Sequence, residues 1–165
     1  MKKALLALVP IIFLFSCVDY SEEFSSQTLQ GKWLNKISND YESMDNVLVF
    51  QTNGSYEAFF IRTENSEGFA PGIVGYYKGN YAVTDDKLVL SDRKYYYPED
   101  FENPPTEAGD MIEQANFPMP NQSAELSFEE NKTVMVLVFE CIDTFGGFAA
   151  MCMEPEPTYY DKVME

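Results

Sequence analysis

The 165-residue sequence contains no histidine. The usual general base at neutral pH and the commonest transition-metal ligand are therefore missing, and serine–histidine and cysteine–histidine catalysis are excluded. Basic residues are scarce, with 11 Lys and Arg against 27 Asp and Glu and a net charge of −16. Binding to nucleic acid needs clustered cations, so no nucleic-acid partner is expected. The acidity reads first as solubility and self-repulsion. Carboxylate pairs such as Asp85 with Asp86 and Glu129 with Glu130 fall in predicted turns, where solvated charge is expected. Nothing marks two carboxyls about 5 to 9.5 Å apart across a cleft, as acid-pair hydrolysis needs. Asp40, Glu42 and Asp45 lack the glycine and spacing of a calcium loop. No catalytic residue, cofactor site or metal site is expected, and the chain reads as non-enzymatic.

Long apolar runs are also absent, apart from one at the start. Met1-Lys2-Lys3 is basic, and Ala4 to Phe15 is apolar but shorter than the roughly 20 residues that span a bilayer as a helix. This pattern reads as an export signal. It ends in Leu14-Phe15-Ser16-Cys17, which resembles the lipobox of bacterial lipoproteins. The resemblance implies cleavage after Ser16, a diacylglycerol on the Cys17 sulfur and a further acyl chain such as palmitate on the new amine. Two or more chains anchor stably to a membrane. Val18, in place of an aspartate, favours the outer membrane by the same resemblance. Asp19, Glu22 and Glu23 resemble the surface-export signal of Bacteroidota lipoproteins, and a solvated tether would read the same way, so the periplasmic and cell-surface faces both stay open. Loss of Lys2 and Lys3 with the signal takes the net charge from −16 to −18. What remains is enough for one domain with a real core. The expected organisation is a signal peptide over 1–16, a lipidated cysteine and acidic tether over 17–28, and a folded domain over 29–165.

Aromatic residues are plentiful, at 15% with 11 Tyr and 13 Phe. Together with β-branched residues they dominate the periodic segments, which favours sheet over helix. Leu29 to Leu34 opens the first strand. Asn46 to Phe50 and Tyr56 to Arg62 flank Asn53-Gly54, a hairpin signal because both residues tolerate positive φ. A two-residue turn would pair Phe50 with Glu57, and a turn with a glycine bulge would pair Phe50 with Tyr56. Tyr76 to Val83 and Lys87 to Ser91 form a second pair across Thr84-Asp85-Asp86. The alternation then stops. From Asp92 to Asn121 the chain is rich in proline and acid, carries Tyr95-Tyr96-Tyr97, and has room for one short helix within Thr106 to Ala115. This insertion far exceeds the usual connection of about 4 to 6 residues and reads as a lid, a partner surface or a flexible region. The tyrosines read as a sugar-stacking or protein-contact surface, or as an ordinary edge strand. Strands resume over Ala124 to Phe128, Thr133 to Ile142, Phe148 to Glu154 and Tyr159 to Val163.

A two-residue turn at Gly146-Gly147 would pair Phe145 with Phe148 and, counting outward, set Cys141 opposite Cys152. Directly opposed strand residues have Cα atoms about 4.5 or 5.5 Å apart, within the roughly 4.4 to 6.8 Å that a disulfide accepts. A Cys141–Cys152 bridge is therefore expected in an exported chain, with two buried free thiols as the alternative.

Gly31-Lys32-Trp33, followed by Val47-Leu48-Val49-Phe50, Asn53-Gly54-Ser55-Tyr56 and Gly79-Asn80-Tyr81-Ala82-Val83 ahead of Leu88-Val89-Leu90, resembles the lipocalin-like lipoprotein domains of Bacteroidota. Tyr159-Tyr160-Asp161-Lys162 looks like the closing strand. The resemblance implies an all-β, antiparallel meander barrel of about eight strands, interrupted by the 92–121 insertion, with Trp33 plugging one end and Lys162 nearest to lying over it. A small barrel holds side chains or one small ligand. Alternation puts Phe60, Tyr77, Tyr81, Met135, Leu137 and Phe139 inside, as a ligand-binding lining or as core filling. Two functions follow: an outer-membrane-anchored module binding a small apolar or amphipathic ligand, or a solid-cored structural lipoprotein whose insertion recruits another envelope protein.

Overall fold

The computed structural model describes residues 26–38, 43–64, 68–116, 119–141, 144–145, 148–149 and 155–164. After one helical turn, α1 (Ser26–Leu29), the strands are β1 (Gly31–Ser38), β2 (Ser43–Phe50), β3 (Ser55–Arg62), β4 (Gly72–Thr84), β5 (Lys87–Tyr97), β6 (Ile112–Glu113), β7 (Gln122–Glu129), β8 (Val134–Phe139), β9 (Thr144–Phe145), β10 (Phe148–Ala149) and β11 (Pro157–Val163). Eight of them close an antiparallel meander barrel in the order β1-β2-β3-β4-β5-β7-β8-β11, with β11 returning to β1. The short β6 adds to the outer end of β5, and β9 and β10 form a separate two-stranded pair.

Closure leaves the barrel with two ends. Trp33 and the turns that follow β2, β4 and β7 mark one end, here called the floor. The ends of β1, β3, β5 and β8 mark the other, the mouth. The floor is packed solid. Trp33, Phe50, Leu88, Met135 and Leu137 are buried there with the floor helix residue Leu29. The β2–β3 hairpin takes the bulged register, Phe50 opposite Tyr56, with Gly54 at φ 83°. Both rings therefore point into the core, 6.3 Å apart, and Tyr81 meets Phe50 edge-on at 5.0 Å.

The insertion differs from expectation. The strand that opens at Lys87 runs to Tyr97, so its first six residues continue the barrel wall. The short helix is only a 3-10 turn, Ala108–Asp110. Residues 98–114 lie against the outside of the wall, where Met111 joins Ile73, Tyr76 and Tyr96 in a second apolar core, with Phe59 and Ile61 packed against it. Main-chain hydrogen bonds tie the segment down, from Ala70 N to Glu102 O, Ile73 N to Pro105 O and Gln114 N to Tyr95 O. Gly72, at φ 153°, lets the two chains touch, since a Cβ there would lie 2.5 Å from the Pro104 carbonyl oxygen. The barrel strands thus carry apolar residues on both faces along β3, β4 and β5, which is why this stretch shows no clean inside–outside alternation.

The strand expected over Phe148 to Glu154 enters the structure only as β10, outside the barrel, and residues 150–154 lie outside the described set.

Candidate functional site

Above the packed floor the barrel interior opens into a cavity of about 460 Å³ that reaches the mouth. Leu48, Ala58, Phe60, Leu90 and Phe139 give it an apolar wall, while Asn46, Tyr56, Tyr77, Arg93 and Tyr160 bring polar atoms into it. Of the six residues expected inside, Phe60, Tyr77 and Phe139 line this space. Tyr81, Met135 and Leu137 face the same interior lower down and are buried in the floor core.

The floor owes its seal to Trp33. Its indole Nε1 donates to the Leu29 carbonyl at 2.7 Å, so the one polar atom of a fully buried ring is satisfied by the end of α1. Lys162 Nζ lies 5.1 Å from the ring centroid, in cation–π range, and within 3.5 Å of the Thr28 carbonyl.

Arg93 reaches the cavity because of a break in the β4–β5 ladder. Lys78 pairs with Lys94 and Asn80 with Ser91, which leaves one extra residue on β5. Asp92 occupies the left-handed region at φ 49°, and Asn80 Nδ2 holds its carboxylate at 2.8 Å on the outer face. A bulge of this kind reverses the side-chain alternation beyond it. Arg93 therefore lines the cavity, and Tyr96 turns outward to the second core. Gly79 supplies the room, since a Cβ there would sit 2.5 Å from the Ser91 carbonyl oxygen.

Inside, the guanidinium donates through Nε to Tyr56 Oη at 3.3 Å and through Nη1 to the Pro120 carbonyl at 3.2 Å, and it lies 5.5 Å from the centre of the Tyr77 ring. Arg93 is the only charged side chain among the described residues that line the cavity. The tyrosines around it stay neutral at physiological pH. Burial raises Tyr56 against the opposing pull of Arg93. Burial also raises Tyr77, aided by Tyr95 and opposed by Arg93. Tyr160 is pushed up to about 12, again by burial, although a hydrogen bond from Asn46 works the other way. That bond, Asn46 Nδ2 to Tyr160 Oη at 3.0 Å, leaves Asn46 Oδ1 as a buried acceptor without a protein partner.

Arg93, Asn46, Tyr56 and Tyr160 were not among the residues expected at a site. Tyr56 carried a usable signal, because it alternates with Phe60, which was already placed inside; no residue beside Tyr160 on its strand had been placed there. Arg93 carried none, since unbroken alternation from Leu88 and Leu90 places Asp92 and Lys94 inside instead.

Cys141 is disulfide-bonded. The described pairs Phe145 with Phe148 and Ala149 with Thr144 are those of a two-residue turn. Cys152 lies outside the described residues, as do Cys17 and the rest of residues 1–25. Asp40 and Glu42 are outside them too, and among the described residues no group of three acidic or cysteine side chains is placed to hold a metal ion.

Fold and site together define a small β-barrel with a sealed floor and a chamber under its mouth. No protein-family model matches the chain, and no curated protein matches it significantly.

Proposed function

We propose that the protein is an envelope-tethered binding module that takes one small apolar or amphipathic molecule into the upper half of its barrel. The observation that carries this reading is the 460 Å³ cavity over a sealed floor. Its volume falls within the roughly 300 to 1,000 Å³ of small-molecule sites, and its lining has their usual makeup, a mainly apolar wall with a few convergent polar groups. A solid barrel would need those walls to meet, as they do around Trp33 and Leu137.

Ala58 gives a direct test, because it is buried, lines the cavity and points no side-chain bulk into it. Ala58→Phe should fill the chamber and weaken uptake of a fluorescent fatty-acid probe by about tenfold or more, the loss expected when a ring occupies the space an apolar tail needs. The far-ultraviolet circular dichroism should stay that of the parent. Equal uptake by the filled variant, or none by the parent across fatty-acid and aromatic probes, would remove the binding reading.

Tethering rests on the apolar start and the Leu14-Phe15-Ser16-Cys17 motif. An anchor at Cys17 would join the barrel through α1 at its floor, leaving the mouth at the opposite end of the domain. Cys17→Ser should move the protein from the membrane to the soluble fraction in its native host, because the only expected acylation site is gone. A variant still extracted only by detergent would refute the lipid anchor.

A further inference from the structure

We infer that the ligand carries an oxyanion head on an apolar tail, with the head held by Arg93 and the tail lying along the Phe60, Ala58 and Leu48 wall. This rests on the cavity being a binding site, and goes beyond it by assigning the charge and orientation of the occupant.

The first argument is the cost of putting Arg93 where it is. The chain has few cations and many anions, yet the one charge among the described residues that line its chamber is positive, and no described carboxylate pairs with it. A guanidinium presents five N–H donors. Two are used here, by the Tyr56 hydroxyl and the Pro120 carbonyl, both neutral acceptors. A partly buried cation without a counter-charge is unfavourable, and an oxyanion supplies what is missing through two parallel charge-assisted hydrogen bonds.

The second argument is that the placement is constructed. The side chain enters only because a bulge with Asp92 in the left-handed region reverses the strand, a glycine at position 79 admits the close approach, and Asn80 holds Asp92 outside. Bulges gather beside functional sites, where they re-aim a side chain. Tyr56 and Tyr77 then fix the guanidinium plane from two sides.

The third argument concerns specificity. The described lining contains no carboxylate, so nothing there favours a cationic head. The tyrosine hydroxyls remain protonated and can donate to the same oxyanion.

Dodecanoate and dodecanol differ in little but the head group, so calorimetric titration of both into the parent protein reads the proposal without any mutation. Dodecanoate should bind at least about tenfold more tightly, the scale of a charge-assisted hydrogen bond over a neutral one. Arg93→Gln should lower dodecanoate affinity by a similar factor and leave dodecanol within about threefold, while Arg93→Lys retains part of the preference because the charge remains. Equal binding of acid and alcohol by the parent would overturn the anionic head and leave the binding module standing. Failure of both to bind would overturn the two together. If Arg93→Gln melts far below the parent, the acid-to-alcohol ratio in the parent and in Arg93→Lys still decides.

Discussion

Trp33→Ala is expected to destabilise the protein by about 3 to 5 kcal/mol, the range for removing a buried tryptophan ring from a well-packed core. Four consequences add up at this one position. The fully buried ring leaves a void between α1 and the floor core. The Leu29 carbonyl loses its 2.7 Å donor, and Lys162 loses the face it lies over. Phe128, whose ring centre is 5.7 Å away, loses an aromatic contact. Whole domains are stable by only about 5 to 15 kcal/mol, so the variant should melt roughly 6 to 20 °C below the parent, at roughly 2 to 4 °C per kcal/mol for a chain of this size. Trp33→Phe keeps most of the volume and gives up the hydrogen bond, so its cost should be less than half as large. Urea unfolding of both variants measures this directly. A loss under about 1 kcal/mol for the alanine variant, within the range of ordinary surface changes, would mean that Trp33 does not seal the floor.

The barrel was largely legible because its signals were local. Asn53-Gly54 marked a hairpin, Asp85-Asp86 marked another, and alternation along Tyr77 to Tyr81 and Met135 to Phe139 assigned the inner face correctly. Phe50 and Tyr56 illustrate the limit of that reading, since the two turn geometries predicted opposite faces and only the pairing in space selects the bulged one. Further along the chain the signals fail for two physical reasons. Tyr76, Tyr96, Phe59 and Ile61 are apolar on the outer face because the segment from residue 98 covers them, and a strand buried on both faces loses its period of two. The second reason is the bulge at Asp92, which changes the parity of everything after it on β5. The turn from Leu90 inside to Arg93 inside is a property of pairing with β4, and no residue type between them announces it. The only charged side chain among the described residues of the site was therefore the residue least accessible to reasoning from the sequence alone.

Alkaline pH should unfold this protein, and the tyrosines set the direction. Tyr56, Tyr76, Tyr77, Tyr81, Tyr95 and Tyr160 all have pKa values raised above the ordinary phenol value, in each case chiefly by burial. For Tyr76 the Glu57 carboxylate, which accepts its hydroxyl hydrogen bond, adds to the effect. In the unfolded chain these groups ionise near the ordinary phenol value of about 10. Below that pH both states are protonated and the stabilising difference is fully present. Above it the unfolded chain releases protons first, binds fewer than the folded one, and is favoured increasingly as pH rises. Tyr160 is pushed up to about 12, and each tenfold difference in proton affinity is worth about 1.4 kcal/mol. It should therefore contribute roughly 2 to 3 kcal/mol of lost stability as pH climbs from about 10 through about 12, with the other five acting in the same direction. The measurement is a spectrophotometric titration of phenolate absorbance followed beside circular dichroism, with urea unfolding repeated near pH 8 and near pH 11. Part of the tyrosine absorbance should appear only with the loss of strand signal, and the urea midpoint should fall markedly at the higher pH. Complete, reversible titration of every tyrosine near pH 10 with the strand signal intact would mean that these phenols are hydrated, and that neither the chamber nor the outer core is packed as the structure has it.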